Sequence, residues 1–222
     1  MTRGVGLQLF APLKEMPMIS DAYRFVFPIL VLAVVFAFFH FAGVALILIL
    51  LAGFVCYFFR NPARSIPDGE NLIVSPADGK VVRVFDLPNE GEQAGGQGIS
   101  IFMNIFDVHV NRAPIHGELE SLEYKRGKFK VAFDEEASLV NEQNVLTIRG
   151  QDMQVVVKQI AGLIARRVVC WKQPGNSIKR GELIGLIRFG SRVDVLLPRQ
   201  VKVLVKVGDR VKGGSSILGE RV

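Results

Sequence analysis

Few side chains in this sequence can carry bond-making chemistry, and their surroundings decide which of them could. Ser191 lies in Arg188-Phe189-Gly190-Ser191-Arg192-Val193-Asp194-Val195-Leu196-Leu197-Pro198. Taken alone, a Gly-Ser pair between strands is a turn. Its hydroxyl becomes a nucleophile only where a base takes its proton. His109, in Asp107-Val108-His109, is the best acid–base group, because imidazole titrates near neutrality; the alternative is a structural histidine on a strand. Asp78, in Pro76-Ala77-Asp78-Gly79, is either a working carboxylate or a turn residue. His116, after Pro114-Ile115, reads as a surface turn residue, and His40 as a polar interruption of an apolar run. Cys170, in Val168-Val169-Cys170-Trp171, reads as part of a buried strand, where cysteine behaves as a small hydrophobe. No HExxH, paired-cysteine or carboxylate-cluster pattern points to a metal.

The segment around Ser191 resembles the cleavage segment of the short phosphatidylserine decarboxylase proenzymes. Three other blocks resemble that family in the same order: Phe58-Phe59-Arg60-Asn61-Pro62, Val74-Ser75-Pro76-Ala77-Asp78-Gly79-Lys80-Val81, and Phe102-Met103-Asn104-Ile105-Phe106-Asp107-Val108-His109-Val110-Asn111-Arg112-Ala113-Pro114. The likeness therefore runs from the apolar block to the C-terminus.

The resemblance implies a self-cleaving, pyruvoyl-dependent carboxy-lyase. Glycine leaves its carbonyl uncrowded and tolerates a strained turn. The Ser191 hydroxyl would attack the Gly190 carbonyl, with donors stabilising the oxyanion. Elimination and hydrolysis would then leave a β chain of residues 1–190 and an α chain, 191–222, capped by a pyruvoyl group. That ketone forms a Schiff base with the substrate amine and acts as the electron sink, without a metal. By the same resemblance His109 is a functional histidine and Asp78 assists self-cleavage. The longer enzymes of the family carry a second histidine three residues after the first, where this chain has Arg112. Arg112 and Arg192 are candidate phosphate binders, or else exposed strand residues.

These residues need a scaffold, and the sequence beyond residue 61 reads as β throughout. Short apolar runs at 72–74, 80–85, 99–104, 145–148, 155–160, 183–187 and 201–207 alternate with turns, and 91–98 reads as a loop. That spacing predicts a mainly β sandwich or barrel. Gly175-Asn176-Ser177-Ile178-Lys179-Arg180-Gly181 resembles Gly208-Asp209-Arg210-Val211-Lys212-Gly213-Gly214, an internal repeat with the hairpin chemistry of lipoyl-type folds.

Residues 25–59 carry no formal charge. Such a run is too long for one upright span and slightly short for two. It predicts a helical membrane hairpin over 23–60, hinged near His40 and Gly43, after an N-terminal segment 1–22 and before a catalytic domain 61–222. Arg24, Arg60 and Arg64 favour the cytoplasmic side; a single tilted span would put the remainder outside. Two cysteines, Cys56 and Cys170, imply no disulfide framework, and a reducing compartment is the simplest inference.

The net charge of +6 and pI of about 9.5 suit an anionic partner. Anionic membrane lipid fits better than nucleic acid, for which no binding signature appears. The substrate implied is phosphatidylserine and the product phosphatidylethanolamine. Two rivals are a pyruvoyl decarboxylase of a soluble amino acid and a non-enzymatic lipoyl-like membrane adaptor. The partners expected are the chain's own α and β fragments, and a homo-oligomer is compatible with the sequence.

Overall fold

The expected hairpin is present. In this computed structural model, which describes residues 18–89, 94–128, 140–162, 168–188 and 191–222, a 3-10 turn at Ser20–Ala22 leads into α1 (Tyr23–Phe38), and α2 (Ala42–Phe58) follows. His40 makes the reversal with φ at 62°, a conformation uncommon outside glycine. The open end is closed by Ile19 N–H donating to Phe59 O at 3.0 Å and by Phe25 stacking on Phe59. Small side chains, Ala33, Ala45 and Ala52, are buried and allow close helix approach. Phe27, Val34 and Ile47 are about two-thirds exposed, a surface that needs another apolar phase. The helical stretch Ser20–Phe38 is long and apolar enough to cross a membrane, while α2 is apolar but shorter.

The chain divides after Ala63 into two compact units. The second is built from strands numbered here in chain order. Its large sheet runs β13 (Arg210–Val211), β2 (Gly79–Asp86), β3 (Gln97–Met103), β11 (Ser191–Leu197), β7 (Gln154–Ala161), β6 (Gln143–Arg149), β5 (Gly117–Lys125), β9 (Ser177–Ile178). Two small sheets complete it: β1 (Leu72–Val74), β14 (Ile217–Arg221), β12 (Val201–Val203), and β4 (Val110–Arg112), β10 (Leu183–Ile187), β8 (Val168–Cys170). Neighbouring strands in all three sheets are antiparallel.

This order is palindromic, which explains the glycine repeat. β13 answers β9, β2 answers β5, β3 answers β6, and β11 answers β7; the two small sheets match strand for strand. The hydrogen bonds repeat as well. Val81 N–H donates to Asp209 O and Leu119 N–H to Asn176 O, both at 2.9 Å. Gly214 N–H donates to Ser75 O at 2.7 Å and Gly181 N–H to Ala113 O at 2.8 Å. Gly181 and Gly214 share a left-handed φ of 76° and 79°, which glycine adopts without strain. One half of this pseudo-two-fold, β4 to β10, is inserted between β3 and β11 of the other.

The runs at 72–74 and 183–187 form strands with the expected limits. The run at 201–207 does not: β12 stops at Val203, and Leu204 and Val207 are exposed. Of the loop expected over 91–98, residues 91–93 lie outside the described residues, and Gln97 and Gly98 already belong to β3. Inward residues of the large sheet, among them Val81, Ile101, Val157, Val193 and Val195, form one buried core.

Candidate active site

Ser191 opens β11, paired with Met103 on β3 and Ala161 on β7. Side chains alternate along a strand, so Ser191 faces inward with Val193 and Val195 and is fully buried. Its Oγ lies 3.4 Å from Met103 Sδ, a weak acceptor that holds the hydroxyl loosely. The chain leaves β10 in a small sheet at Ile187 and enters the large sheet at Ser191. Gly190, the expected partner in cleavage, lies outside the described residues.

A line of buried polar groups continues from that sulfur. Asn111 Nδ2 approaches Met103 Sδ at 3.9 Å, Gln159 Nε2 donates to Asn111 Oδ1 at 2.8 Å, and Asn144 Nδ2 donates to Gln159 Oε1 at 3.1 Å. All of these residues are buried. Gly185, opposite Asn111, makes the approach possible: a Cβ there would come 2.7 Å from Gln159 Nε2 and 2.2 Å from Val169 O.

His109 immediately precedes β4 and is fully buried. Its carbonyl accepts the Ile187 N–H at 3.3 Å, fixing it beside the segment that leads to Ser191. His109 Nδ1 is 3.0 Å from Asp107 O. A carbonyl only accepts, so Nδ1 carries the proton and Nε2 is the nitrogen that can take up another. His109 and Asn111, two residues apart on an extended segment, lie on one side of it, the side on which Asn111 approaches Met103, the residue that Ser191 Oγ also meets.

Arg112 faces the other way. Its Nη1 donates to Gly181 O at 2.9 Å. Burial, then the like charge of Arg64, push its guanidinium below the usual arginine value, and the Asp78 carboxylate acts against them. Arg64 Nη2 reaches Asp78 Oδ1 at 3.0 Å and Oδ2 at 2.7 Å, and Gly213 N–H donates to Oδ1 at 2.8 Å. The candidates thus fall into two groups: Ser191 and His109 with Asn111 on one side of β4, Asp78 and Arg112 with Arg64 on the other.

Neither candidate phosphate binder is displayed on the surface, and neither is an exposed strand residue. Arg112 is 6% and Arg192 2% exposed. Arg192 is on the opposite face of β11 from Ser191, where Nε donates to Asp194 Oδ1 at 2.6 Å and Nη2 to Ser100 Oγ at 2.9 Å. His116 is exposed and accepts the Arg180 N–H on Nδ1 at 3.3 Å. It is the pseudo-symmetric counterpart of Asp78, since Arg180 and Gly213 each precede the repeat glycine. Burial pushes the Cys170 thiol up, which disfavours the thiolate.

Met103, Asn111, Gln159 and Arg64 are the site residues that sequence reasoning missed. For Gln159 a signal existed: it occupies an inward position in the alternation Val155, Val157, Gln159, and a buried amide needs partners. An open groove lined by Arg149, Asp152, Met153, Pro198 and Arg199 lies at the far end of β11, about 20 Å from Ser191.

The sequence matches the family model described as phosphatidylserine decarboxylase over residues 51–219. The chain belongs to the phosphatidylserine decarboxylase family. It is 52% identical over 178 residues to the phosphatidylserine decarboxylase proenzyme of Solibacter usitatus, covering 80% of this chain and 84% of that one. It is 50% identical over 168 residues to that of Syntrophus aciditrophicus, covering 75% and 79%. The match to the Geotalea uraniireducens proenzyme is longer, 42% over 207 residues, with 93% and 97% covered. The family is one of carboxy-lyases, and every candidate residue from Asp78 to Arg192 lies within the matched span.

Proposed function

We propose that this chain is a self-processing carboxy-lyase that converts phosphatidylserine to phosphatidylethanolamine in phospholipid synthesis, with a catalytic group made from its own Ser191. The observation that carries this reading is the buried Ser191 hydroxyl at the head of an inner strand, where β4 brings His109 and Asn111 to the same side. Relatives named as proenzymes support it.

In self-cleavage Ser191 Oγ attacks the Gly190 carbonyl carbon, and the peptide C–N bond gives way to an ester. His109 Nε2 takes the hydroxyl proton and returns it to the departing nitrogen. Loss of the Ser191 α-proton then breaks the Cβ–Oγ bond. Residues 1–190 leave as a carboxylate, and residue 191 remains as dehydroalanine. Water converts this to a ketone with release of ammonia.

Residue 191 suits the group so made, being small, inward-facing and beside Met103, toward which the Asn111 amide also turns. A pyruvoyl group there supplies a ketone that takes up the substrate amine and accepts the electron pair freed with carbon dioxide. His109, its ring fixed by Asp107 O, holds at Nε2 the proton that replaces the lost carboxylate. Asp78 acts as a positioning residue: its ion pair with Arg64 and its bond from Gly213 N–H set the corner against which β4 lies. The helical hairpin holds the enzyme at its lipid substrate, on the cytoplasmic face given the flanking Arg24, Arg60 and Arg64.

Ser191→Ala tests the reading. This variant is expected to run as one full-length band on a denaturing gel and to release no carbon dioxide from phosphatidylserine vesicles, while the parent runs as two. Scission of the variant at the same bond would remove Ser191 as the internal nucleophile.

A further inference from the structure

The turn that leads into His109 presents an apolar tip. Phe106 is 61% and Ile105 37% exposed, yet the turn is tightly stapled. Phe106 N–H donates to Asn104 Oδ1 at 2.8 Å, Asn104 N–H to Asp107 Oδ2 at 2.9 Å, and Asp107 N–H to Asn104 O at 3.0 Å. A side-chain-braced turn of this kind holds its apolar residues outward at little further entropic cost on binding.

Beside the tip lies a row of exposed cations. Arg210 on β13 is opposite Lys80 on β2, which is opposite Phe102 at the end of β3. Lys80 and Arg210 are both exposed, and Lys212 lies two residues beyond Arg210. Arg210 Nη1 is 3.6 Å from Asp107 Oδ1, which ties the row to the tip, and the carboxylate of Asp209, next to Arg210, accepts the Lys206 N–H at 2.9 Å. An apolar point flanked by cations is complementary to an anionic bilayer, with the ring among acyl chains and the cations at headgroup level.

We infer that the Ile105–Phe106 tip inserts into the anionic lipid surface and seats the turn that leads into His109 on the bilayer. The inference rests on the proposed lipid substrate. Asp107 joins the two ends of the device, since its carboxylate braces the tip and its carbonyl holds His109 Nδ1. Docking is thereby felt two residues from the group that moves the proton.

The test uses the full chain in vesicles with a single indole reporter, Phe106→Trp in a Trp171→Phe background. In vesicles containing phosphatidylglycerol the reporter's emission is expected to shift to the blue and to be quenched by brominated acyl chains. Phe106→Asp is expected to lower turnover of long-chain phosphatidylserine in vesicles by roughly tenfold, the scale set by burying most of an aromatic ring. It should leave self-cleavage and turnover of monomeric short-chain phosphatidylserine unchanged. Lys80→Gln with Arg210→Gln should weaken the vesicle reaction by about fivefold per charge. Unquenched, water-like emission from a reporter protein that turns over vesicle substrate would overturn the inference and leave the proposed function intact. Blue-shifted emission that depends on protein concentration in lipid-free detergent would assign the tip to a second copy and overturn it equally. A parent protein inactive on both substrates would instead remove the function beneath it.

Discussion

At the residue scale, the decisive contact is the 3.0 Å approach of His109 Nδ1 to Asp107 O, because it decides which nitrogen is left to move a proton. A buried imidazole held in one tautomer is poised to act through Nε2 alone. His109→Ala is therefore expected to lower carbon dioxide release by about 10²- to 10⁴-fold, the usual contribution of a general acid–base group, and to slow self-cleavage. The measurement is radiolabelled carbon dioxide release per processed chain. Full turnover by the processed variant would refute the role. Ser191, His109 and Asp78 could be proposed from the sequence because they are reactive types inside recognisable blocks. Met103, Asn111 and Gln159 could not, since amides and thioethers carry no reactive signature. Their meeting is made by strands far apart in the chain, Gln159 and Asn111 being 48 positions apart.

At the scale of the element, β11 carries two opposed surfaces with different tasks. Ser191, Val193 and Val195 face the core, while Arg192 and Asp194 form an ion pair at 2–3% exposure on the other face. The pair ties to Ser100 on β3, so it helps set the strand whose first residue is the proposed nucleophile. Removing one partner strands a buried charge, at a cost of about 3–5 kcal/mol. Arg192→Ala is expected to melt lower in detergent and to accumulate unprocessed precursor. Arg192→Met with Asp194→Leu should recover much of both, and an unchanged melting temperature for Arg192→Ala would contradict the assignment. From sequence Arg192 read as a phosphate binder or an exposed strand residue, whereas it is buried. Periodicity reports which face differs and not what covers it. The glycine repeat revealed two related turns, whereas the pseudo-two-fold of the whole domain emerged only from pairing, because the inserted half keeps the matching strands far apart in sequence.

At the scale of the whole molecule, an apolar hairpin and a β domain divide the work. The hairpin was legible because 35 uncharged residues, 25–59, are long enough for two short helices and contain a polar interruption at His40. The outward apolar faces of α1 and α2 give the chain a reason to reside in lipid, where its proposed substrate is. In the β domain the inserted half ends, and the other half resumes, across the three residues before Ser191. Cutting there would separate the chain at the junction of two halves that share sheets, so both fragments stay paired: β11 remains between β3 and β7, held by backbone bonds on both sides. Processing without dissociation is expected.

The most direct measurement is the intact mass of the protein purified active in detergent, after denaturation. It should contain a fragment of residues 1–190 and a fragment of residues 191–222 lighter than the serine-ended peptide by one ammonia. A single unbroken chain with full activity on phosphatidylserine, or a second fragment that retains its N-terminal serine, would contradict the central claim.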